Sequence, residues 1–127
     1  MRKTKQYELE FNVKKRRYYS KLKGFWIDPS IVDSYFEDLK NLNSVVRHFT
    51  FSQDLTDLRL VLPEVFNKLG DVSEWLYRNG LLKSAEILSP IKDKLSVRRI
   101  GKRSGIEIVK KQFYSFTEAE IWLDIAD

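Results

Sequence analysis

The chain has 127 residues, of which 43% are hydrophobic and 32% charged, a composition typical of a globular domain and far from that of disordered or fibrous proteins. It contains no cysteine, which excludes disulfides, thiolate metal sites and a cysteine nucleophile. No run of apolar residues exceeds three, so we expect neither a membrane span nor a signal peptide, and a cytoplasmic protein with one domain over residues 1–127.

The net charge of +5 is unevenly distributed. Residues 1–23 hold nine Lys or Arg against two acids, and residues 92–111 hold eight against two, whereas the last sixteen residues carry four acids and no base. The run of four bases is interpreted as the solvated tip of a hairpin, because charge runs are usually exposed; it consists of Lys14, Lys15, Arg16 and Arg17.

The first half of the chain predicts a hairpin followed by a helix. Apolar and polar residues alternate over residues 7–13, and a second strand over residues 18–25 follows the basic turn. Asp28 is the expected helix cap, with Pro29 at the first helical position. The apolar face of this helix consists of Ile31, Val32, Tyr35, Phe36, Leu39, Leu42, Val45 and Val46.

A short third strand is predicted over residues 49–55. Pro63 and Glu64 then open a second helix that ends at Asn79-Gly80. Its inward face is expected to consist of Val65, Phe66, Leu69, Val72, Trp75 and Leu76.

The remaining elements are a fourth strand over residues 81–88, a third helix from Pro90 and a fifth strand over residues 106–113. Ser115 and Glu118 form a capping box for a terminal helix. The inward residues of that helix are Ala119, Trp122 and Leu123.

The resulting order, β-β-α-β-α-β-α-β-α, predicts an α/β fold. Alternation of strands and helices after the first hairpin requires crossover connections and parallel neighbours. We therefore expect one five-stranded, mixed and mostly parallel sheet flanked by four helices.

No catalytic constellation emerges from the sequence. The glycine fingerprints of phosphate-binding loops are absent, and the single histidine, His48, cannot supply a two-histidine metal site. We expect no catalytic residue, no metal, no cofactor and no enzymatic activity.

Residues 113–123, Phe-Tyr-Ser-Phe-Thr-Glu-Ala-Glu-Ile-Trp-Leu, together with Gly24-Phe25 after the second strand and the order of elements, resemble the SpoIIAA-like or STAS-like family. Anti-sigma-factor antagonists have this fold. The chain resembles a divergent member of the family. This resemblance implies a non-enzymatic regulatory domain that presents the region from the third strand to the second helix to a protein partner.

Phosphorylation is the usual switch in that family, and the resemblance places its acceptor near Pro63 and Glu64. Neither residue has a hydroxyl group, so we expect no phosphorylation switch of the usual kind. If the alignment with the family is shifted, Thr56 or Ser52 is the phosphorylation acceptor instead. Glu64 is interpreted as a residue that stabilises the start of the second helix. The alternative is that its negative charge imitates the phosphorylated state.

The carboxyl ends of parallel strands are where open α/β sheets bind ligands. Acidic and hydroxyl side chains there can orient the basic side chains of a partner. The predicted partner-binding residues are Asp54, Thr56, Asp57, Arg59 and Glu64.

Two alternatives remain at this point. The protein is a carrier of a small apolar ligand or lipid, with a pocket between the sheet and the first helix lined by Trp26, Tyr35 and Phe36. More weakly, residues 1–23 and 92–111 bind a peripheral anionic membrane or nucleic acid. Nucleic acid is the less favoured of these, because only Tyr18 and Tyr19 lie beside the basic run and two aromatic residues do not make a stacking platform.

Overall fold

The computed structural model describes residues 1–42, 47–89 and 109–125. The strands of this part of the chain form one sheet in the order β1-β2-β3-β4-β5-β6. Its elements are β1 (Arg2–Lys3), β2 (Tyr7–Asn12), β3 (Arg17–Trp26), α1 (Ser30–Leu42), β4 (Phe49–Val61), α2 (Pro63–Arg78), β5 (Leu81–Ile87), β6 (Lys110–Phe113) and α3 (Phe116–Asp124).

The sheet is mixed, as expected. β2 is antiparallel to both β1 and β3, whereas β3, β4, β5 and β6 run parallel. The prediction of five strands was wrong because β1 pairs with β2 through Arg2 and Lys3, two charged residues that carry no alternating pattern. Three of the four predicted helices are found; the one from Pro90 falls on residues 90–108, outside the described part.

α1 and α2 cover one face of the sheet, called here the inner face. The helical spacing predicted for α1 is confirmed up to Leu42, since Val32, Tyr35 and Leu39 are buried. Val45 and Val46, predicted on the same face, lie outside the described residues. The hydroxyl of Tyr18, on β3, donates to the Leu39 carbonyl at 3.3 Å, which fixes α1 against the middle of the sheet. The buried residues of α2 are Val65, Leu69, Gly70, Val72 and Leu76.

α3 packs on the opposite face, called the outer face. A small apolar cluster forms there between β5 and α3, and the rings of Phe113 and Trp122 lie 5.5 Å apart at its side. The side chain of Ser115 caps the helix by accepting from the Glu118 amide at 3.3 Å, which is one of the two bonds of the predicted capping box. The buried members of the cluster are Ala85, Ile87, Ala119 and Leu123.

The turn after α2 requires glycine. Gly80 has a φ of +104°, in the left-handed region, and a Cβ atom there would lie 2.7 Å from the amide nitrogen of His48. The predicted stop at Asn79-Gly80 is therefore confirmed, and it allows the chain to enter β5 beside β4.

A candidate interaction site on the outer face

The predicted partner residues do not lie in a loop. β4 continues to Val61, so Asp54, Thr56, Asp57 and Arg59 belong to a strand. Only Leu62 then separates β4 from α2. The predicted end of the third strand at residue 55 was wrong.

Two β-bulges explain why the length of β4 was not predicted. The pairing of β4 with β3 shifts register between Lys21 and Lys23, and again between Gly24 and Phe25. Extra residues at a bulge interrupt the period of two. From the first bulge onward, the residues of β4 that face inward are consequently three positions apart, which is not a strand pattern; they are Leu55, Leu58 and Val61.

Asp54 and Thr56 stabilise the first of these bulges. The Asp54 carboxylate accepts from the Thr56 amide at 2.9 Å and from the Thr56 hydroxyl at 2.7 Å. Such local bonds to an aspartate are a common way of holding an irregular backbone. The Thr56 hydroxyl is therefore engaged, and Ser52, the other hydroxyl considered for phosphorylation, is 2% exposed.

Asp57 lies in a row of charged side chains on the outer face. It pairs with Lys21 at 2.9 Å, and Lys23 pairs with Glu8 on β2 at 3.0 Å. The hydrogen bond with Asp57 is the main cause that raises the pKa of Lys21, and the hydrogen bond with Lys23 is the main cause that lowers the pKa of Glu8. The lowered pKa keeps the Glu8 carboxylate charged at neutral pH.

The other predicted partner-binding residues, Glu64 and Arg59, are exposed but lie apart from Asp54 and Asp57. Glu64 lies in the first turn of α2, the helix that covers the inner face, so its charge faces the positive end of that helix. Arg59 is an exposed residue near the end of β4. The structure therefore brings together Asp54 and Asp57 and leaves Glu64 on another layer.

A groove of about 140 Å³ crosses the outer face beside α3. Phe116, 52% exposed, forms one wall, and its ring lies 6.1 Å from that of Tyr19. Glu10 of β2 also lines the groove and has no ion pair among the described residues. Glu8 and Glu10 were not predicted as site residues, although their alternation with buried Tyr7 and Leu9 places them on this face.

Arg17 does not belong to a solvated hairpin tip. Its side chain is 3% exposed and lies under α3. The guanidinium donates to the Thr50 hydroxyl at 2.8 Å and to Glu120 at 2.8 Å, and its distance to Asp124 is 2.9 Å. The structure therefore corrects that interpretation for Arg17, although Lys14 and Arg16 in the same run are exposed.

Glu120 is the acceptor at the centre of this network. Tyr19 donates to it at 2.8 Å and Lys15 at 3.0 Å. Burial acts to raise the pKa of Glu120, but the hydrogen bonds from Lys15, Tyr19 and Arg17 together lower it. The network ties the acidic end of the chain to β3 and so fixes α3 at the border of the groove.

The residues proposed for an apolar ligand pocket are packed against protein instead. Trp26 and Tyr35 are 0% and 1% exposed, with ring centres 5.7 Å apart and nearly perpendicular. The indole nitrogen of Trp26 donates to the Gln6 and Lys23 carbonyls. Phe36 packs on Trp75 with ring centres 5.3 Å apart. Trp26 is thus enclosed by protein, and Tyr35 borders a cavity of about 40 Å³, which is too small for a lipid.

Comparisons with known proteins add no assignment. No protein-family model, curated protein or solved structure matches the chain. Within residues 1–42, 47–89 and 109–125, no group of three or more His, Cys, Asp or Glu side chains is arranged to hold a metal ion. No helix of the same residues has the length and apolar character needed to cross a membrane.

Proposed function

We propose that this chain is a non-enzymatic regulatory or protein-interaction domain, similar to anti-sigma-factor antagonists but without their phosphorylation switch. It binds a protein that presents lysine or arginine side chains. The binding surface is the outer face of β2, β3 and β4, beside Phe116.

The acidic character of this face supports the proposal most directly. Four carboxylates lie on it, those of Glu8, Glu10, Asp54 and Asp57, although the chain as a whole carries +5. Among the described residues, Lys21 pairs with Asp57 and Lys23 with Glu8, and the charge of Lys3 on the neighbouring β1 also acts on Glu8. Glu10 and Asp54 have no ion pair within the same residues, and carboxylates without an ion pair favour and orient a cationic partner.

The geometry of the face also suits a protein better than a small molecule. The groove has a volume of about 140 Å³, below the roughly 300–1,000 Å³ of ligand pockets, and lies between an exposed aromatic ring and charged strands. An aromatic anchor surrounded by charged residues is a usual composition for an interface. The apolar-ligand alternative lacks comparable support, because Trp26 and Tyr35 pack against each other.

The first basic segment, residues 1–23, gives little support to the alternative that the protein binds an anionic membrane or nucleic acid. Arg2, Lys15, Arg17, Lys21 and Lys23 are each paired with a carboxylate of this chain. Their charge is thus partly neutralised before any partner binds.

Charge reversal tests the proposal. Immobilised wild-type protein is used to capture its partner from a lysate of the source organism, and Glu10→Lys and Asp57→Lys are compared with it. Both side chains are exposed, so we expect loss of the partner with at most a small change in thermal stability. The matched control is Glu37→Lys on α1, whose carboxylate is 66% exposed and remote from the outer face. Equal capture by all four proteins would contradict the proposal.

The salt dependence of binding supplies a second test of the proposal. Because the interaction is expected to join carboxylates to cations near the surface, its affinity should fall as ionic strength rises. The residual binding of Asp57→Lys should depend on salt less steeply than that of the wild type. An affinity independent of salt would argue for an apolar interface elsewhere.

A further inference from the structure

A row of polar side chains crosses the buried inner face of the sheet. Ser20 pairs in register with Gln53, Gln53 with Glu86, and Glu86 with Gln112, so four adjacent strands place a polar residue at the same level. Ser20 and Glu86 are 3% and 4% exposed. Polar groups buried in this way need hydrogen-bond partners.

Most polar groups of the row form hydrogen bonds or an ion pair near its two ends. At one end, Ser20 and the Tyr35 hydroxyl are 2.6 Å apart, and the Gln53 amide also bonds to Tyr35. At the other end, Glu86 lies 2.9 Å from Lys110 and accepts from Gln112 at 3.3 Å. The Glu86 and Lys110 charges cancel, so the surroundings of the row are polar but electrically neutral.

One atom in the middle of the row lacks a partner. Among the described residues, the carbonyl oxygen Oε1 of Gln53 is fully buried and accepts no hydrogen bond from the protein. An acceptor removed from water without a replacement donor destabilises a fold. A group that supplies a hydrogen bond is therefore expected next to it.

A cavity lies where that group is needed. It has a volume of about 40 Å³ and lies between the centre of the sheet and α2. Gln53, Ser73, Ser84 and Glu86 contribute polar groups to its lining. One water molecule needs roughly 10–15 Å³, whereas a cavity that binds benzene measures about 150 Å³, so this space suits water and is too small for an organic ligand.

We propose that this cavity is a binding site for an ordered internal water molecule that donates a hydrogen bond to Gln53 Oε1. The water completes the polar row between β4 and α2. It also explains why an amide is tolerated among Leu22, Phe51 and Leu55, which line the same cavity. A neutral donor fits the site better than an ion because Glu86 is already paired with Lys110.

A high-resolution crystal structure of the wild-type protein tests the proposal directly. We expect a density peak of water size within roughly 2.7–3.2 Å of Gln53 Oε1. An empty cavity would overturn the proposal. So would a larger solute at this position, or a side-chain amide turned so that Oε1 accepts from the Tyr35 hydroxyl.

Oxygen-17 magnetic relaxation dispersion supplies the solution test, because it counts water molecules held inside a protein for longer than its tumbling time. Gln53→Leu should lower that count by one. Gln6→Leu is the matched control: Gln6 lines the groove between β1 and α1, outside the cavity, and the count should not change. An unchanged count in folded Gln53→Leu would overturn the proposal, and if that variant does not fold, the wild-type crystal structure decides.

Discussion

The two faces of the sheet are held to their helices by different interactions. The inner face, under α1 and α2, is an extended apolar core that contains the fully buried side chains of Trp26, Tyr18 and Tyr35. Within residues 1–42, 47–89 and 109–125, the outer face has an apolar cluster of four buried residues under α3, supplemented by the ion pairs of Arg17 with Glu120 and Asp124. Ion pairs therefore contribute more to holding α3 on the sheet than to holding α1 and α2, which depend mainly on apolar burial.

The largest expected effect comes from the inner face. Trp26→Ala removes a ring that contacts Tyr7 and Tyr35, and it leaves a cavity in the middle of the core. The free energy of unfolding, measured by denaturant titration, should fall by about 3–5 kcal/mol.

Trp75→Ala is the matched control, since Trp75 is only partly buried and packs at the edge of the same core. Its loss should be clearly smaller. Equal effects of the two substitutions would contradict the assignment of Trp26 to the centre of the core.

The next largest effect is expected on the outer face. Among the described residues, Arg17→Met leaves Glu120 and Asp124 with Lys15 as their cationic partner. We expect a loss of about 2 kcal/mol, below the range for fully buried pairs because Asp124 is 49% exposed. Hydrogen exchange should accelerate more in α3 than in α2.

Lys14→Met is the control for that experiment, because Lys14 is an exposed member of the same basic run. It should leave stability and exchange unchanged. If Arg17→Met accelerates exchange equally in α2 and α3, then the ion pairs are not what distinguishes the two faces.

A smaller loss of unfolding free energy is expected at acidic pH. The hydrogen bond from Arg17 is the main cause that lowers the pKa of Asp124, and the pKa of Glu120 is also lowered. A carboxyl whose pKa is lower in the folded state stabilises the fold above its unfolded pKa, and this stabilisation is lost as pH falls through the folded pKa. Since the ordinary values are 3.8 and 4.5, stability should decline below about pH 4.5.

Arg17→Met checks the origin of that decline. Without the guanidinium the two carboxyls should titrate closer to their ordinary pKa values, so the unfolding free energy of the variant should depend less on pH in this range. An identical acid dependence in the variant and the wild type would exclude the network as its source.

The smallest expected effects separate the two predicted partner residues Asp54 and Asp57. Asp54→Ala removes two hydrogen bonds to Thr56 at the bulge and should lower the unfolding free energy by about 1 kcal/mol. Asp57→Ala removes one exposed ion pair and should lower it by less than about 0.5 kcal/mol. Thermal denaturation of both variants decides whether Asp54 has the structural role assigned here; a smaller loss for Asp54→Ala than for Asp57→Ala would contradict it.

The helices were the most predictable part of the fold. Their apolar residues recur every three or four positions, and Ser115 and Gly80 mark ends that follow from backbone chemistry alone. β4 was predicted too short because its bulges depend on pairing with β3, and a pairing partner is not visible in a local pattern. β1 escaped prediction because Arg2 and Lys3 show no apolar periodicity.

The candidate site was only partly predictable. Strand alternation is enough to place Asp54, Glu8 and Glu10 on one face once the strands are known. Arg17 was misinterpreted because a run of bases usually indicates solvent, and its partners Glu120 and Asp124 lie more than one hundred residues away. Contacts at such separation require the folded sheet.

Zero-length carbodiimide cross-linking of the captured complex tests the central claim most directly, because it joins carboxylates of this chain to lysines of the partner that touch them. We predict cross-links from Glu10 and Asp57 on the outer face. Cross-links confined to Asp33 or Glu37 on α1 would place the partner on the other side of the molecule and contradict the account.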